Sequence, residues 1–463
     1  MHPIRASLAL ARTAGRNLLK PQGGLFAMVQ TLLVQGLTLV VNVGTGVITA
    51  RVLGPTGRGE FAAVSLWLLI PPMLAVSGLH NSVIYLTGRE PKEANSVAAA
   101  GLIAATLAFL PIAATCFVLL PWLMHSYRPE IVGLARLILV LSIVNVWSVM
   151  SRQGLLAVKN FRAYNIAGFG MAFLYLVLLL GLVILGAISP RSAALAPWAG
   201  TTIAVMLTVQ QLVKNWHWRA LRPLSRMQAL LRYGMKAAPS DVVTVLNSTS
   251  DRLVLVALVP AAEFGVYAVA VSFARLLYVV QTAVSTVMLA DLAGKTPREM
   301  EIFVHRTFRL LLWLLVVGCA TLYLFDTQLL SAVYGSEFAQ AAPAFRILLF
   351  EGAVTCISQM LIQAYLAAEK PSLPSLLQVV SFSLGLAGMI ALAPIYGAIG
   401  AASALAAAST LRFVLLLANL HRIGLRLPNP FPGIDDFAPL LNRLRRMTGV
   451  PRGTTEESAR CVD

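Results

Sequence analysis

Leu25-Phe-Ala-Met-Val-Gln-Thr-Leu-Leu-Val-Gln-Gly-Leu-Thr-Leu-Val-Val-Asn-Val-Gly-Thr-Gly-Val-Ile-Thr-Ala50 runs for 26 residues without a charged side chain. A helix needs about 20 mostly apolar residues to cross a bilayer, so this run is long enough to span one. Within it Thr31, Gln35, Thr38, Asn42, Thr45 and Thr49 recur at spacings of four and three. That period lays all six on one face of a helix, along the whole membrane thickness. The segment predicts a transmembrane helix with one polar face.

Runs of the same kind recur at 60–86, 97–120, 131–157, 163–188, 193–213, 237–259, 264–290, 303–325, 341–367, 371–394 and 397–419, predicting twelve spans. The whole chain of 463 residues is 58% apolar and 12% charged. Soluble proteins average about 45–50% and 25%. So few charges cannot cover a water-facing surface, and no stretch alternates as membrane-spanning strands do. The prediction is an all-α polytopic membrane protein. Arg5, Arg12, Arg16 and Lys20 ahead of the first span look superficially like a signal peptide. The apolar run is too long for one and lacks a small-residue cleavage site, so it counts as span 1.

The net charge of +17 has a topological explanation. With the N-terminus inside, the inner segments hold 27 Lys and Arg, whereas the outer loops hold four: Arg51, Arg58, Arg128 and Arg191. Cytoplasmic loops collect such residues, so both termini are expected in the cytoplasm, and no nucleic-acid partner is needed. The expected units are a cytoplasmic segment 1–24, a six-helix bundle 25–213, a linker 214–236, a second bundle 237–419 and a basic tail 420–463. The linker mixes Trp216, Trp218, Leu221, Leu224 and Leu231 with six basic residues, the pattern of a helix lying at the inner headgroup layer. Cys116, Cys319, Cys356 and Cys461 show no metal or disulfide spacing.

The chain also repeats itself. Gln153-Gly-Leu-Leu-Ala-Val-Lys159 matches Gln363-Ala-Tyr-Leu-Ala-Ala-Glu369 at an offset of 210, as Arg136-Leu-Ile-Leu matches Arg346-Ile-Leu-Leu. At an offset of 206, Gly59-Glu-Phe-Ala62 matches Gly265-Val-Tyr-Ala268. Three matches in the same order predict two pseudo-symmetric six-helix halves. Six is even, so both enter the membrane from one side, and transporters built of such halves hold substrate between them.

Further polar stripes mark candidate cavity walls. Span 7 carries Asp241, Thr244, Ser248 and Asp251 with Ser240 and Asn247 beside them; span 8 carries Arg275, Tyr278, Thr282 and Ser285. Ser and Thr often bond only to their own helix, but Gln35, Asn42 and Asp251 need partners or water. A wet central cavity lined by spans 1, 7 and 8 follows. Candidate substrate-binding residues are Gln35, Thr38, Asn42, Thr45, Asn247, Arg252, Arg275 and Tyr278. Arg136, Arg346 and Arg412 lie near span ends, where they can snorkel to headgroups. Arg275 and Glu351 lie near mid-bilayer, where charge is costly. Arg275 can pair with Asp251 or bind an anion, and both readings stand.

Arg51-Val-Leu-Gly-Pro-Thr-Gly-Arg-Gly-Glu-Phe-Ala62, joining spans 1 and 2, resembles the corresponding loop of bacterial polysaccharide flippases. Asp251-Arg-Leu-Val-Leu255 followed by Gly265-Val-Tyr-Ala268 resembles them in the second half. These flippases belong to the multidrug/oligosaccharidyl-lipid/polysaccharide exporter superfamily, and the resemblance runs over about residues 20–420. It implies two bundles around a V-shaped cavity and export of an undecaprenyl-diphosphate-linked oligosaccharide for O-antigen or exopolysaccharide synthesis. The partners implied are that lipid-linked sugar, membrane lipids, and a polysaccharide polymerase and glycosyltransferases around a monomeric flippase. Span 1 has no carboxylate, so the cation site of many drug-exporting relatives is missing.

The residues agree with such a cargo. Hydroxyls and amides suit sugars, Trp67, Trp147 and Tyr278 can stack on them, and Arg252 and Arg275 suit pyrophosphate oxygens. No cofactor is expected. Coupling to proton, sodium or membrane potential is open, with Asp241, Asp251 and Glu351 as candidate ion carriers. The main rival is an ion-coupled multidrug exporter of the same superfamily. An enzyme would need paired acids or metal ligands, and Glu60, Glu130, Glu263, Asp326 and Glu337 are scattered.

Overall fold

The computed structural model describes residues 24–213, 222–274, 277–292, 296–370 and 372–431. Within them the chain is helical and holds no strand. Eight segments are long and apolar enough to cross a membrane, which makes this a multi-pass membrane protein. The expected basic segment 1–23, the start of the linker at 214–221, Arg275 and the tail beyond 431 lie outside the described residues.

Two of the eight segments, of 44 and 47 residues, are long enough for two crossings. The first helix, α1 (Gly24–Val76), bends at Gly54, where φ is +66°. Only glycine adopts that region cheaply, and Pro55 restarts the helix with its fixed φ. At 53 residues its two legs would together measure about 80 Å, roughly twice a bilayer. A second glycine break at Gly78 (φ +74°) separates α1 from α2 (Leu79–Arg89). There follow α3 (Ala94–Leu123), α4 (Pro129–Leu141), α5 (Ile143–Ala157), α6 (Phe161–Ile184) and α7 (Pro190–Val213).

In the second half α8 (Pro223–Leu258) is one continuous helix, so the linker residues from Pro223 onward are its first turns, not a separate surface helix. Next come α9 (Ala261–Ala274), α10 (Leu277–Leu292), α11 (Pro297–Leu324), the short α12 (Asp326–Tyr334) and α13 (Ala342–Ala367). The last, α14 (Ser372–Ala418), bends at Gly397 with φ +56°. Glu263 reaches into that bend and accepts the Ala398 N–H at 2.7 Å. A Cβ on Gly397 would sit 1.6 Å from the Glu263 carboxylate, so glycine is required for the cap to form. Glu263, expected as a scattered loop acid, is thus a helix-capping residue.

The charges read as snorkelling divide on inspection. Arg346 pairs with the buried Asp326, which ties α12 to α13. Arg136 lies over the Phe117 ring at 5.0 Å. Arg412 does not snorkel: it is 4% exposed and donates to Thr355 Oγ1 at 3.3 Å. Thr355 and Ser409 both donate to Glu351, at 2.7 and 2.8 Å. Sequence distance from the membrane edge misplaced Arg412 because Thr355, its partner, comes from α13, 57 positions away.

The two halves meet where α1 bends, a level called the turn end below. There Gly59 and Gly265 pack main chain on main chain. A Cβ on Gly59 would lie 1.7 Å from the Ala261 carbonyl oxygen, and one on Gly265 would lie 2.0 Å from that of Pro55. The contact is reciprocal: 55 faces 265 and 59 faces 261, and the offset of 206 found in the sequence carries 55 onto 261 and 59 onto 265. Each glycine's Cα–H points at a carbonyl oxygen, a weak bond of about 0.5–1 kcal/mol. Small residues permit such approach between membrane helices. Phe264, Tyr267, Tyr334, Phe338 and Phe345 are fully buried around the seam.

Alanine at either glycine cannot be housed without parting the seam. We expect Gly59→Ala and Gly265→Ala to raise the reactivity of a cysteine at Asn42 toward a membrane-impermeant maleimide from the turn end, in a background without the native cysteines. Unchanged labelling in both would mean that the seam does not gate access.

Candidate functional site

A cavity of about 1010 Å³ lies between the two halves. Its walls come from α1, α5, α6, α7, α8, α9, α10 and α12. Such a volume is at the top of the range for small-molecule sites.

The chain positions one wall through a local turn. Lys159 takes a positive φ of 59°, ending α5, and the Asn160 side chain accepts the Ala163 N–H at 3.1 Å, starting α6. This reversal sets Arg152 of α5 against the first turns of α6. The Arg152 guanidinium lies 4.6 Å from the centroid of the Tyr164 ring. Gly168, one turn on, leaves room for it, since a Cβ there would be 2.9 Å from Nη2. Arg152 Nε is buried without a hydrogen-bond partner. Arg152 is the one charged residue among the described residues lining the cavity, and no carboxylate joins it.

The opposite wall is the predicted face of α1. Gln35, Thr38 and Asn42 line the cavity together with Val34, Leu39 and Val43. The amides of Gln35 and Asn42 are exposed. Thr38 donates to the Val34 carbonyl, and Ser248, Ser272 and Thr201 likewise donate within their own helices. Those hydroxyls therefore offer lone pairs to the cavity, while the two amides offer both donors and acceptors. The α6 residue Tyr175 and the α12 residue Tyr334 form the wall toward the turn end.

The far end, where the chain passes from first half to second, is closed by Asp241. Its carboxylate accepts the Gly78 N–H at 2.7 Å and the Asn81 Nδ2–H at 3.3 Å, with His80 Nδ1 at 3.7 Å. Gly78 packs so tightly on α8 that a Cβ would lie 2.1 Å from the Gly234 carbonyl. Tyr85 stacks on Tyr233 at 4.4 Å, and Arg226 pairs with Glu90 at 2.7 Å. The halves thus touch at both ends of the cavity.

The structure brings together only part of the predicted site. Gln35, Thr38, Asn42, Ser248 and Thr282 line the cavity. Thr45 is buried and donates to the Asn42 carbonyl. Asn247 lines a separate, water-sized cavity of about 20 Å³ with Ser381, Ser409 and Arg412. Arg252 donates to the Ser248 carbonyl at 3.3 Å, lies 4.0 Å from Asp251, and does not line the main cavity. Asp251 accepts from Tyr267 at 3.0 Å. Arg275 and the side chain of Tyr278 fall outside the described residues. Trp67 is buried and donates to Met124 Sδ, and Trp147 donates to Thr106, so neither faces the cavity. Asp241, Asp251 and Glu351 each sit away from the cavity in hydrogen bonds of their own. Sequence reasoning missed Arg152, Tyr164, Tyr175 and Tyr334.

This architecture is a known one. The chain belongs to the family described as "Polysaccharide biosynthesis protein", whose model matches residues 22–290. Its fold is similar to that of the lipid II flippase MurJ in an inward closed conformation, with a TM-score of 0.71 at 14% identity over 91% of this chain and 92% of that one. A multidrug resistance MATE family transporter of the MOP superfamily, inward-facing, gives 0.68 at 16% over 90% and 98%. A MOP superfamily transporter from Pyrococcus furiosus, described as having a binding pocket of reversed polarity, gives 0.58 at 16% over 86% and 94%. No curated protein matches the sequence.

Removing the Asp241 carboxylate should loosen the far end. A hydrogen bond to a charged group is worth about 1.5–3 kcal/mol, so Asp241→Ala should shift the closed population roughly ten- to a hundredfold. Maleimide labelling of a cysteine at Asn42 from that end reads the shift directly. Labelling no faster than wild type would show that the other contacts hold the closure alone.

Proposed function

We propose that the protein is a flippase carrying a polyprenyl-diphosphate-linked oligosaccharide from the inner to the outer leaflet of a bacterial inner membrane. It acts as a monomer, with twelve passes, both termini cytoplasmic and the turn end outside, as the distribution of Lys and Arg favours. The sugar and diphosphate pass through the cavity while the lipid tail stays in the bilayer. Access alternates by parting of the Gly59–Gly265 seam on one side and of the Asp241 closure on the other. No chemical step is involved, and the product serves cell-surface or exopolysaccharide synthesis.

The observation that carries this reading is the cavity's chemistry. Amides, hydroxyl lone pairs and three tyrosines suit sugar, and Arg152 alone adds charge among the described lining residues. Arg152 offers planar donors to phosphate oxygens while Tyr164 holds its face. A cationic drug would meet that charge with no carboxylate to offset it, which weighs against the multidrug reading.

Mass spectrometry of the lipid-linked sugar pool in cells lacking the protein tests the proposal. A finished polyprenyl-diphosphate oligosaccharide should accumulate and clear when the wild type returns. Arg152→Ala should insert normally yet clear it roughly ten- to a hundredfold more slowly, since a charged hydrogen bond of about 1.5–3 kcal/mol is lost. Arg152→Lys should fall between them. An unchanged pool with new sensitivity to cationic drugs would move the protein to the exporter branch.

A further inference from the structure

Arg58 sits one residue before the seam glycine Gly59 and is 7% exposed. A guanidinium buried this deeply is normally paired with a carboxylate. Arg58 is not. Its Nη1 donates to Thr49 Oγ1 at 2.9 Å, its face lies 5.1 Å from the centroid of the Phe61 ring, and its Nε has no partner. The adjacent carboxylate is engaged elsewhere, since Glu60 accepts Arg128 Nη2 at 2.6 Å. Thr49 is itself committed, donating to the Thr45 and Gly46 carbonyls.

Arg58 is tied to Thr49, and Arg51, two residues further on, to the Val333 carbonyl, which brings Tyr334 to the side of this cation; Tyr334 and Tyr175, a second phenol within its Coulombic reach, both line the cavity. The Tyr334 hydroxyl is buried and also lacks a hydrogen-bond partner. Its position is held from outside the cavity: Arg51 Nε donates to the Val333 carbonyl at 2.8 Å, and Asp326 at the head of α12 is tied to Arg346. The Arg58 Nε–H and the Tyr334 hydroxyl, both left without a partner, are two donors awaiting one acceptor. Burial makes each unmade bond expensive, so an anion gains more here than at an exposed arginine.

We propose that Arg58 and the Tyr334 hydroxyl form a second anion site, at the turn end of the cavity, that takes the phosphate group of a lipid-linked substrate once it has left Arg152. The site deepens the flippase reading and rests on it. Tyr164 beside Arg152 and Tyr175 near Arg58 lie eleven positions apart on α6, about 16 Å of helix. The two cations therefore stand at different depths, as a two-stage path requires. Because Arg58 adjoins Gly59, parting of the seam moves the cation that holds the phosphate and exposes it to water. Hydration then weakens the grip at the moment of release.

Binding of undecaprenyl diphosphate to the purified full-length protein decides the matter, with undecaprenol and inorganic pyrophosphate as companion probes. Arg58→Met should weaken undecaprenyl diphosphate binding about tenfold, and Arg58→Lys should restore most of it. Tyr334→Phe removes only the hydroxyl and should weaken it several-fold without lowering the melting temperature. Undecaprenol should bind all variants alike. Wild-type affinity in both Arg58→Met and Tyr334→Phe would overturn the proposal, and if Arg58→Met does not fold, Tyr334→Phe alone decides. Arg58-dependent binding of inorganic pyrophosphate without the lipid-linked form would also overturn it, in favour of a site for free phosphate anions. Failure of the wild type to bind undecaprenyl diphosphate at all would instead remove the flippase reading. Loss on Arg152→Met with none on Arg58→Met would keep that reading and discard only this site.

Discussion

Two backbones can come as close as residues 55–59 and 261–265 do only if neither carries a side chain at the contact. Both positions are glycine, and a Cβ on either would overlap a carbonyl oxygen. The rest of the turn end follows from this approach. The aromatic cluster around Phe264 and Tyr334 fills the space beside it, α12 is drawn against the end of α1, and Arg58 is left buried beneath. The seam itself is made of main-chain contacts and weak C–H···O bonds, and the charged hydrogen bond across the halves beside it is that of Arg51 to the Val333 carbonyl. A salt bridge at the same place would bind the halves more firmly and open less readily.

The acidic residues of the frame are used to hold it together. Glu263 caps the second leg of α14, Asp326 anchors α12, Glu60 holds Arg128, and Asp241 accepts from the backbone and side chain of α2's approach. Glu351 gathers Thr355 and Ser409. Carboxylates spent this way are withdrawn from the cavity, and among the described residues Arg152 on its wall and Arg58 beyond its turn end are left without one. The cavity's positive character thus arises from where the acids are employed, not from an excess of bases inside it.

The polar face of α1 was legible because period is a local property: Gln35, Thr38 and Asn42 fall on the cavity side as their spacing required. The arginines were not. Arg152 lies in a basic stretch at a helix end, where the rule for cytoplasmic charge already accounts for it. Arg58 lies in a loop that reads as exposed, and residues distant in sequence, Tyr175 of α6 and Tyr334 of α12, help to bury it. Tyr334 is invisible for a similar reason, since a short connection between helices folds back into the core. Asn247 and Arg252 show the converse: a stripe on α8 faces different neighbours at different heights, so one face serves a small polar cavity, a structural pair and the main cavity in turn.

This arrangement bears on how transport would be driven. Ion coupling through a carboxylate requires a group that is free to change protonation or ligation as the halves move. Asp251 and Glu351 are already hydrogen-bonded to hydroxyls within the second half, so neither changes partner when the halves separate. Asp241 does bridge the halves, but as a closure, and freeing it opens one end whatever the cargo. The substrate's own charge is the simpler lever. Moving an anion outward across an inside-negative membrane gains about 2.3 kcal/mol per charge per 100 mV. A diphosphate cargo of the kind proposed would carry that gain with it, and arginines at two depths would lower the barrier in between without adding to the driving force. Coupling to the membrane potential therefore asks least of these residues, because it needs only cations that stay in place and ends that open in turn.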